Sequence, residues 1–311
     1  MNNVLHQCGF KNLTSLQPCY IFVLMDNQKE ITALLHLLED PDLEVFDAVS
    51  NRLFSYGLPI IRELEILWEN TIDNELQDKI EHLIHQLHFF VLLTDFEEWG
   101  KAPHRELLPG LLLVSKFLFP DLKTAEVIRD IERLKRNIWL ELNNYLTPVE
   151  QIHVLNSILY NYFGLKGNYN NSTSPNEFLI HQIIESKKGN QSGNGSLYLL
   201  LCELLDIPVK LISVPNQFIL AYMKPGSGEN RSSLHLNIDF FIDPVTGQPF
   251  THNDLNNYFS RMHLPVLPEY FLPKNNRQII KRLLEDFSLC FGDENKQYMQ
   301  KEIQQLILIL D

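Results

Sequence analysis

The sequence predicts an α+β protein, with a helical amino-terminal domain, a core that contains antiparallel strands and a short helical carboxy-terminal extension. Apolar residues recur at helical spacing from residue 28 to residue 100. An apolar helix is predicted at Leu197–Leu205. Three segments rich in β-branched and aromatic residues follow it, at 209–214, 217–223 and 234–242. This order is typical of an α+β core, and the chain closes with two more helical patterns.

Turn residues separate the helical patterns of the amino-terminal part. Asp40-Pro41-Asp42 ends one helix and caps the next, and Gly57 with Pro59 separates the second helix from the third. The unit 38–68 resembles a HEAT-type repeat, although a solenoid normally needs about three repeats. A small helical bundle is the alternative. Both interpretations place a HEAT-like helical domain at residues 25–145.

Residues 1–24 lack the helical pattern that begins directly after Met25. We therefore expect Met25 to be the start of the protein and 1–24 to be an upstream extension, with a disordered tail as the alternative. The apolar run Tyr20–Met25 is too short for a signal-peptide core. No apolar run approaches the roughly 20 residues that cross a bilayer, so the sequence predicts no membrane association.

Composition argues against several classes of function. The net charge is −13, from 26 basic and 39 acidic residues, and no basic stripe is present, which argues against a nucleic-acid partner. The four cysteines are scattered and form no CxxC pair, so neither a disulfide scaffold nor a zinc site is expected. We predict a cytoplasmic protein without a cofactor or a bound metal.

Short motifs between Gly164 and Pro244 carry a family resemblance. In order, they are Gly-Leu-Lys-Gly-Asn (164–168), Ser-Pro-Asn-Glu-Phe-Leu (174–179), Lys-Lys-Gly (187–189), the apolar helix 197–205, Asp-Ile-Pro-Val-Lys (206–210), Pro-Asn-Gln-Phe (215–218) and Phe-Ile-Asp-Pro (241–244). In this order and spacing they resemble the core of bacterial SirB-type transglutaminase-like proteins, relatives of papain-like and transglutaminase enzymes. The resemblance implies such a core at residues 146–265 and a tetratricopeptide-like remnant at 266–311.

The same resemblance implies a catalytic triad whose chemistry is missing here. Such a core places a cysteine at a helix start, a histidine on a following strand and an aspartate on the next. These positions fall on Gln191, Gln217 and Asp243. Glutamine is not a nucleophile and cannot accept a proton near neutral pH. We therefore predict a pseudoenzyme that binds a protein or a peptide.

The predicted binding cleft combines the amides of a loop at residues 189–195 with polar side chains. Loop amides ahead of a helix can hold a carbonyl or a carboxylate, and the side chains can pair with a peptide backbone. The residues assigned to this cleft are Gly189, Gln191, Ser192, Gln217, Asp239 and Asp243. Asp243 also precedes Pro244, which predicts a structural role in a turn.

Two alternatives stay open at the level of sequence. One is an atypical amidase or acyl transferase with Ser192 as the nucleophile, for which His235 or His181 would have to supply the base. His235 is expected at the far end of a hairpin, and His181 is expected to be structural. The other alternative is a helical scaffold with an inert cleft.

Overall fold

The structure is a computed structural model. It describes residues 28–38, 40, 42–169, 174–215, 217–224, 237–292 and 297–311. Contacts divide the chain into two compact units, one ending at Leu93 and the other running from Thr94 to Asp311. The predicted domain limits at 145 and 265 do not coincide with this division, and both fall inside the second unit. The proposed extension 1–24 and His235 lie outside the described residues.

The first unit is helical, as its apolar periodicity indicates. Its helices are α1 (Gln28–Leu37), α2 (Leu43–Phe54), α3 (Ile61–Asn70) and the first part of α4 (Asn74–Lys101). Asp42 caps α2, because its carboxylate accepts a hydrogen bond from Glu44 N at 2.9 Å. Gly57 takes a left-handed backbone (φ +68) ahead of the turn that leads into α3. Buried side chains of all four helices form one core, among them Ile31, Leu53, Leu64 and Ile80.

The second unit contains the remaining helices and all of the described strands. The helices are α5 (Leu107–Lys116), α6 (Thr124–Glu141), α7 (Pro148–Asn156), α8 (Ile180–Ser186), α9 (Gln191–Leu204), α10 (His252–Arg261), α11 (Asn276–Ser288) and α12 (Gln297–Ile309). Thr147 and Glu150 form a capping box at the start of α7. Helix α7 continues as a π-helical segment, Ser157–Tyr162. In the described part of the chain, no helix is both long enough and apolar enough to cross a bilayer.

Two small sheets accompany these helices. Strands β1 (Lys166–Asn168) and β2 (Lys188–Asn190) pair in parallel, with Gly167 opposite Gly189. The second sheet is antiparallel in the order β3 (Val209–Ile212), β4 (Ile219–Met223), β5 (Ile238–Ile242) and β6 (Pro249–Phe250). Leu220 lies opposite Ile242, and a β-bulge follows at Tyr222–Met223. The predicted α+β class, with antiparallel strands after a buried helix, is therefore confirmed.

Helix α9 lies at the centre of the second unit. Every residue from Ser192 to Cys202 is buried, and the helix packs against α5, α8, α11 and β3. The run Leu197–Cys202 has almost only apolar side chains on every side of the helix, which suits a position inside a core. Helices α5 and α11 also pack against each other.

The structure differs from the sequence-based expectations at residues 189–195 and 252–261. The segment 189–195 was expected to be a loop, but β2 ends at Asn190 and α9 begins at Gln191. Its polar, glycine-rich composition is typical of a loop, but these residues have other roles. Asn190 is the N-cap of α9, and the glycines allow close packing. Helix α10 was not anticipated, although Thr251 and Asp254 form a capping box at its start.

His181 makes fold stability depend on pH. Both of its ring nitrogens are buried without a hydrogen-bond partner in the described part of the chain, and its ring lies edge-on to Phe119 at 4.7 Å. Burial lowers the pKa of His181 below its usual value, against a smaller opposing effect of Glu185. The unfolded chain therefore binds a proton more readily than the folded chain does. The stabilisation is complete above about pH 6.5 and is lost as the pH falls below that value.

We predict that His181→Phe flattens this dependence, because phenylalanine keeps the contact with Phe119 and cannot be protonated. Thermal unfolding between about pH 7.5 and pH 5 is the measurement. The melting temperature of the wild type should fall further over this interval than that of the variant. His104→Phe, at an exposed histidine, is the control and should follow the wild type. Identical slopes for all three proteins would contradict the prediction.

Candidate functional site

The start of α9 fixes the position of Gln191. Asn190 is the N-cap, and its side chain accepts a hydrogen bond from Gly193 N at 2.8 Å. Gln191 is therefore the first residue of the helix, where the helix dipole presents its positive end. The backbone therefore fixes where the side chain of residue 191 begins, whichever residue type stands there.

Gln217 meets Gln191 from the segment that leads into β4. Gln191 Nε2 donates a hydrogen bond to Gln217 Oε1 at 2.9 Å. Gln217 N donates to Val214 O at 3.2 Å in a tight turn, and the next side chain, Phe218, is buried against Gly195. The structure thus brings together two residues that are 26 positions apart in sequence.

Asp243 ends β5 and organises the turn that follows. Its Oδ1 accepts a hydrogen bond from Val245 N at 2.9 Å. Its Oδ2 accepts from Thr246 Oγ1 at 2.8 Å and from Tyr169 Oη at 2.5 Å. Gly247 completes the turn with a left-handed backbone (φ +72). Asp243 therefore has the structural role expected of an aspartate before proline.

Helix α7 and its π-helical segment hold this turn from the other side. Tyr160 Oη donates to Pro244 O at 2.8 Å, and Asn156 Nδ2 donates to Gly247 O at 2.5 Å. Tyr198 of α9 donates in turn to Asn156 Oδ1 at 3.0 Å. Burial raises the pKa of Tyr160, so its phenol remains a neutral donor. The turn is therefore fixed by α7 and its π-helical segment, which are joined through Tyr198 to α9, the helix that carries Gln191.

Gln191, Gln217 and Asp243 line one pocket of about 240 Å³. Its other lining residues are Tyr169, Ile219, Pro244, Phe250, Asp254, Leu255 and Tyr258. The wall is apolar and aromatic, with amides, phenols and carboxylates placed around it. Such a combination is typical of a binding site.

Three of the six residues assigned to the cleft lie elsewhere. Gly189 is buried in β2, where an added Cβ would lie 2.2 Å from Asn194 Oδ1. Ser192 is buried, and its Oγ donates to Asp286 Oδ2 of α11 at 2.5 Å. Asp239 is exposed and is the extra residue of the bulge in β5, because Ile238 and Phe240 are the residues that pair with β4.

Five further residues that line the pocket were not predicted from the sequence: Tyr169, Phe250, Asp254, Leu255 and Tyr258. Tyr169 follows β1, in a stretch that composition indicates only as a loop. The last three belong to α10. The Thr251–Asp254 capping box and the apolar spacing of Leu255 and Phe259 were the available signal.

Electrostatics make the pocket acidic. Burial raises the pKa of Tyr169, and its hydrogen bond to Asp243 raises it further, so the phenol stays protonated. Hydrogen bonds from the Thr251 backbone and side chain lower the pKa of Asp254, which stays ionised. In the part of the chain that the structure describes, no three His, Cys, Asp or Glu residues form a metal-binding group. The lining offers hydrogen bonds and negative charge.

Comparisons with known proteins agree with this architecture. The profile of the transglutaminase-like superfamily matches residues 125–285. UPF0162 protein YchA of Escherichia coli K12 is 22% identical over 70% of this chain and 76% of its own length, and protein SirB1 of Salmonella typhimurium gives the same values. A UPF0162 protein of Vibrio cholerae is 26% identical over 58% of this chain and 64% of its own length. No solved structure is significantly similar.

The amino end of α9 leaves no room for a side chain at Gly193. An added Cβ would lie 2.1 Å from the Glu177 carbonyl oxygen, so either the helix or the neighbouring turn would have to move. We predict that Gly193→Ala lowers the free energy of unfolding by about 1–3 kcal/mol, because overpacked interiors relax only partly. Urea unfolding monitored by circular dichroism measures the change.

Gly292→Ala is the matched control for this prediction. No atom of the described residues lies within 4 Å of its added Cβ, and its backbone (φ −73) suits alanine. This variant should stay within about 0.5 kcal/mol of the wild type. An equally small effect of Gly193→Ala would show that the start of α9 is not tightly packed.

Proposed function

We propose that this chain, which belongs to the transglutaminase-like superfamily, is a pseudoenzyme whose cleft binds a protein or peptide partner. One observation carries the proposal, the hydrogen bond of 2.9 Å between the side chains of Gln191 and Gln217 inside the pocket. By the family resemblance these two residues occupy the positions of the nucleophile and of the base. Two amides there bind to each other, and neither can carry out the chemistry of a thiol or an imidazole.

Thiol-based acyl transfer needs an ionisable nucleophile, a base in contact with it and a group that orients the base. An amide has no ionisable proton near neutral pH. The described residues that line the pocket include no cysteine, histidine or lysine. Asp243 accepts hydrogen bonds from Tyr169, Thr246 and Val245, and these bonds hold its carboxylate in the turn. Loss of catalysis follows from the residue types that line the pocket.

The cleft is retained and suits a peptide. After their mutual hydrogen bond, Gln191 keeps one N–H and its carbonyl oxygen, and Gln217 keeps its NH₂ group. These groups are complementary to the carbonyl and amide groups of a peptide backbone. Ile219, Leu255 and Phe250 supply apolar wall next to them. A pocket of about 240 Å³ is smaller than the roughly 300–1,000 Å³ of most small-molecule sites. This size favours one side chain of a larger partner.

The alternative enzyme, with Ser192 as nucleophile, is poorly supported. Ser192 Oγ donates to Asp286 Oδ2, which also accepts a hydrogen bond from Arg282 Nε at 3.2 Å. This contact binds α9 to α11. To act on a substrate in the pocket, the serine would have to leave a buried, charge-assisted hydrogen bond. We infer that Ser192 positions the start of α9.

The proposal also includes a cytoplasmic setting and the domain scheme 25–145, 146–265 and 266–311. The setting rests on the scattered cysteines of the sequence, and in the described part Cys202 is a buried free thiol. The domain scheme rests on the positions of the family motifs and on the change in periodicity.

Gln191→Trp tests the proposal, because an indole at the start of α9 fills the pocket without adding charge. The measurement is affinity capture from a bacterial lysate with quantitative mass spectrometry. Capture of the specific partner should fall about tenfold or more, since a few buried contacts dominate such interfaces. Gln304→Trp, at an exposed glutamine of α12, is the matched control and should capture the partner as the wild type does.

Two results would contradict the proposal. Unchanged capture by Gln191→Trp would mean that the cleft is inert and that the helices carry the binding. Turnover by the wild type, measured as ammonia release or amine incorporation on glutamine peptides, would mean that the protein is an enzyme. Loss of such turnover in Ser192→Ala would identify the nucleophile.

A further inference from the structure

We propose that the side chain that enters this pocket is an arginine of the partner. The inference rests on the proposed function, because it takes the pocket of Gln191, Gln217 and Asp243 to be the binding site. It adds the chemical class of the group that is bound. Three features of the pocket lead to it: size, charge and the arrangement of aromatic rings.

The size of the pocket suits one long side chain. A cavity of about 150 Å³ is enough for benzene, and this pocket has about 240 Å³. It is open to solvent on the side of Tyr169, a residue that is 65% exposed. A side chain on a partner surface can therefore enter while the partner backbone stays outside, within reach of the two glutamines.

The charge of the pocket favours a cation. Asp243 and Asp254 line it, and the described lining contains no lysine, arginine or histidine. Neither carboxylate forms an ion pair within the described residues. Asp254 Oδ2 accepts both hydrogen bonds from Thr251, and its Oδ1 accepts none in the described part. The whole chain carries −13, which adds a long-range attraction for a basic partner.

The aromatic rings favour a guanidinium over an ammonium group. Tyr169, Phe250 and Tyr258 line the same pocket as the two carboxylates. A guanidinium is planar, stacks on aromatic faces and donates up to five hydrogen bonds, whereas an ammonium is a compact, strongly hydrated charge. The carbonyl oxygen of Gln191, which is not used in the hydrogen bond to Gln217, provides a further acceptor. The apolar stem of an arginine would lie along Ile219 and Leu255.

Other ligand classes fit less well. An anion would enter a site with two carboxylates and no basic side chain in its described lining. A divalent metal ion would find no group of three ligating side chains among the described residues. A neutral amide would leave the charge of Asp254 unused. Lysine is the nearest competitor, and the experiment separates the two cations.

The experiment titrates the full chain with three neutral-capped amino acids: Nα-acetyl-arginine methylamide and its citrulline and lysine counterparts. Citrulline has nearly the shape of arginine and no charge. Binding is followed by two-dimensional NMR of isotope-labelled protein. The arginine probe should bind about tenfold or more tightly than the citrulline probe, since hydrogen bonds to charged groups are the stronger ones. It should also bind more tightly than the lysine probe.

Asp254→Asn gives a second test, because asparagine keeps an oxygen that can accept the hydrogen bonds from Thr251 while the charge is removed. Affinity for the arginine probe should fall severalfold, and affinity for the citrulline probe should not change. Asp121→Asn, at an exposed aspartate, is the control and should bind as the wild type does.

Equal binding of the arginine and citrulline probes, tighter binding of the lysine probe, or no binding of the arginine probe would each overturn the inference. The proposed function fails by a different result. If Gln191→Trp still removes the partner while the arginine probe does not bind, the cleft is a binding site for another group. If Gln191→Trp leaves capture unchanged, the cleft itself is not the site.

Discussion

Close packing of glycines around the start of α9 is the constraint on which the site depends. An added Cβ would lie 2.2 Å from Asn194 Oδ1 at Gly189, 2.1 Å from Glu177 O at Gly193 and 2.5 Å from the Phe218 ring at Gly195. Interiors of this density do not adjust without cost. Strand β2, the amino end of α9 and the segment before β4 are therefore held at fixed separations. Gln191 and Gln217 meet because the backbone brings them together.

Under the proposed function, this constraint would let the chain keep a site while its chemistry changed. The contacts that fix the pocket are made by Asn190, by the glycines and by Tyr160 and Asn156 against the turn of Asp243. None of these contacts uses the side-chain amide of Gln191 or Gln217. Replacement of a thiol and an imidazole at these two positions would leave the frame intact. We therefore interpret the site as a preserved frame with a new, binding role.

Much of this arrangement could be predicted from the sequence, and the predictions that were wrong have physical causes. Periodicity and capping residues gave the helices, and the motif order placed Gln191, Gln217 and Asp243 near one another. The segment 189–195 was misread because composition cannot distinguish a flexible loop from glycines that pack closely. Ser192 and Asp239 were assigned to the cleft because sequence spacing does not reveal a contact with Asp286 or a bulge. Tyr169 and α10 were missed because they come from segments without a family motif.

The most direct test of the preserved frame is the thiol pKa in the double variant Gln191→Cys with Gln217→His. The pH dependence of iodoacetamide labelling at residue 191, followed by peptide mass spectrometry, gives this pKa. A thiol at a helix start beside an imidazolium should titrate well below its usual value of about 8.5, and below the same thiol in Gln191→Cys alone. A pKa near 8.5 in both variants would contradict the account, because it would mean that these positions no longer form the frame of a catalytic pair.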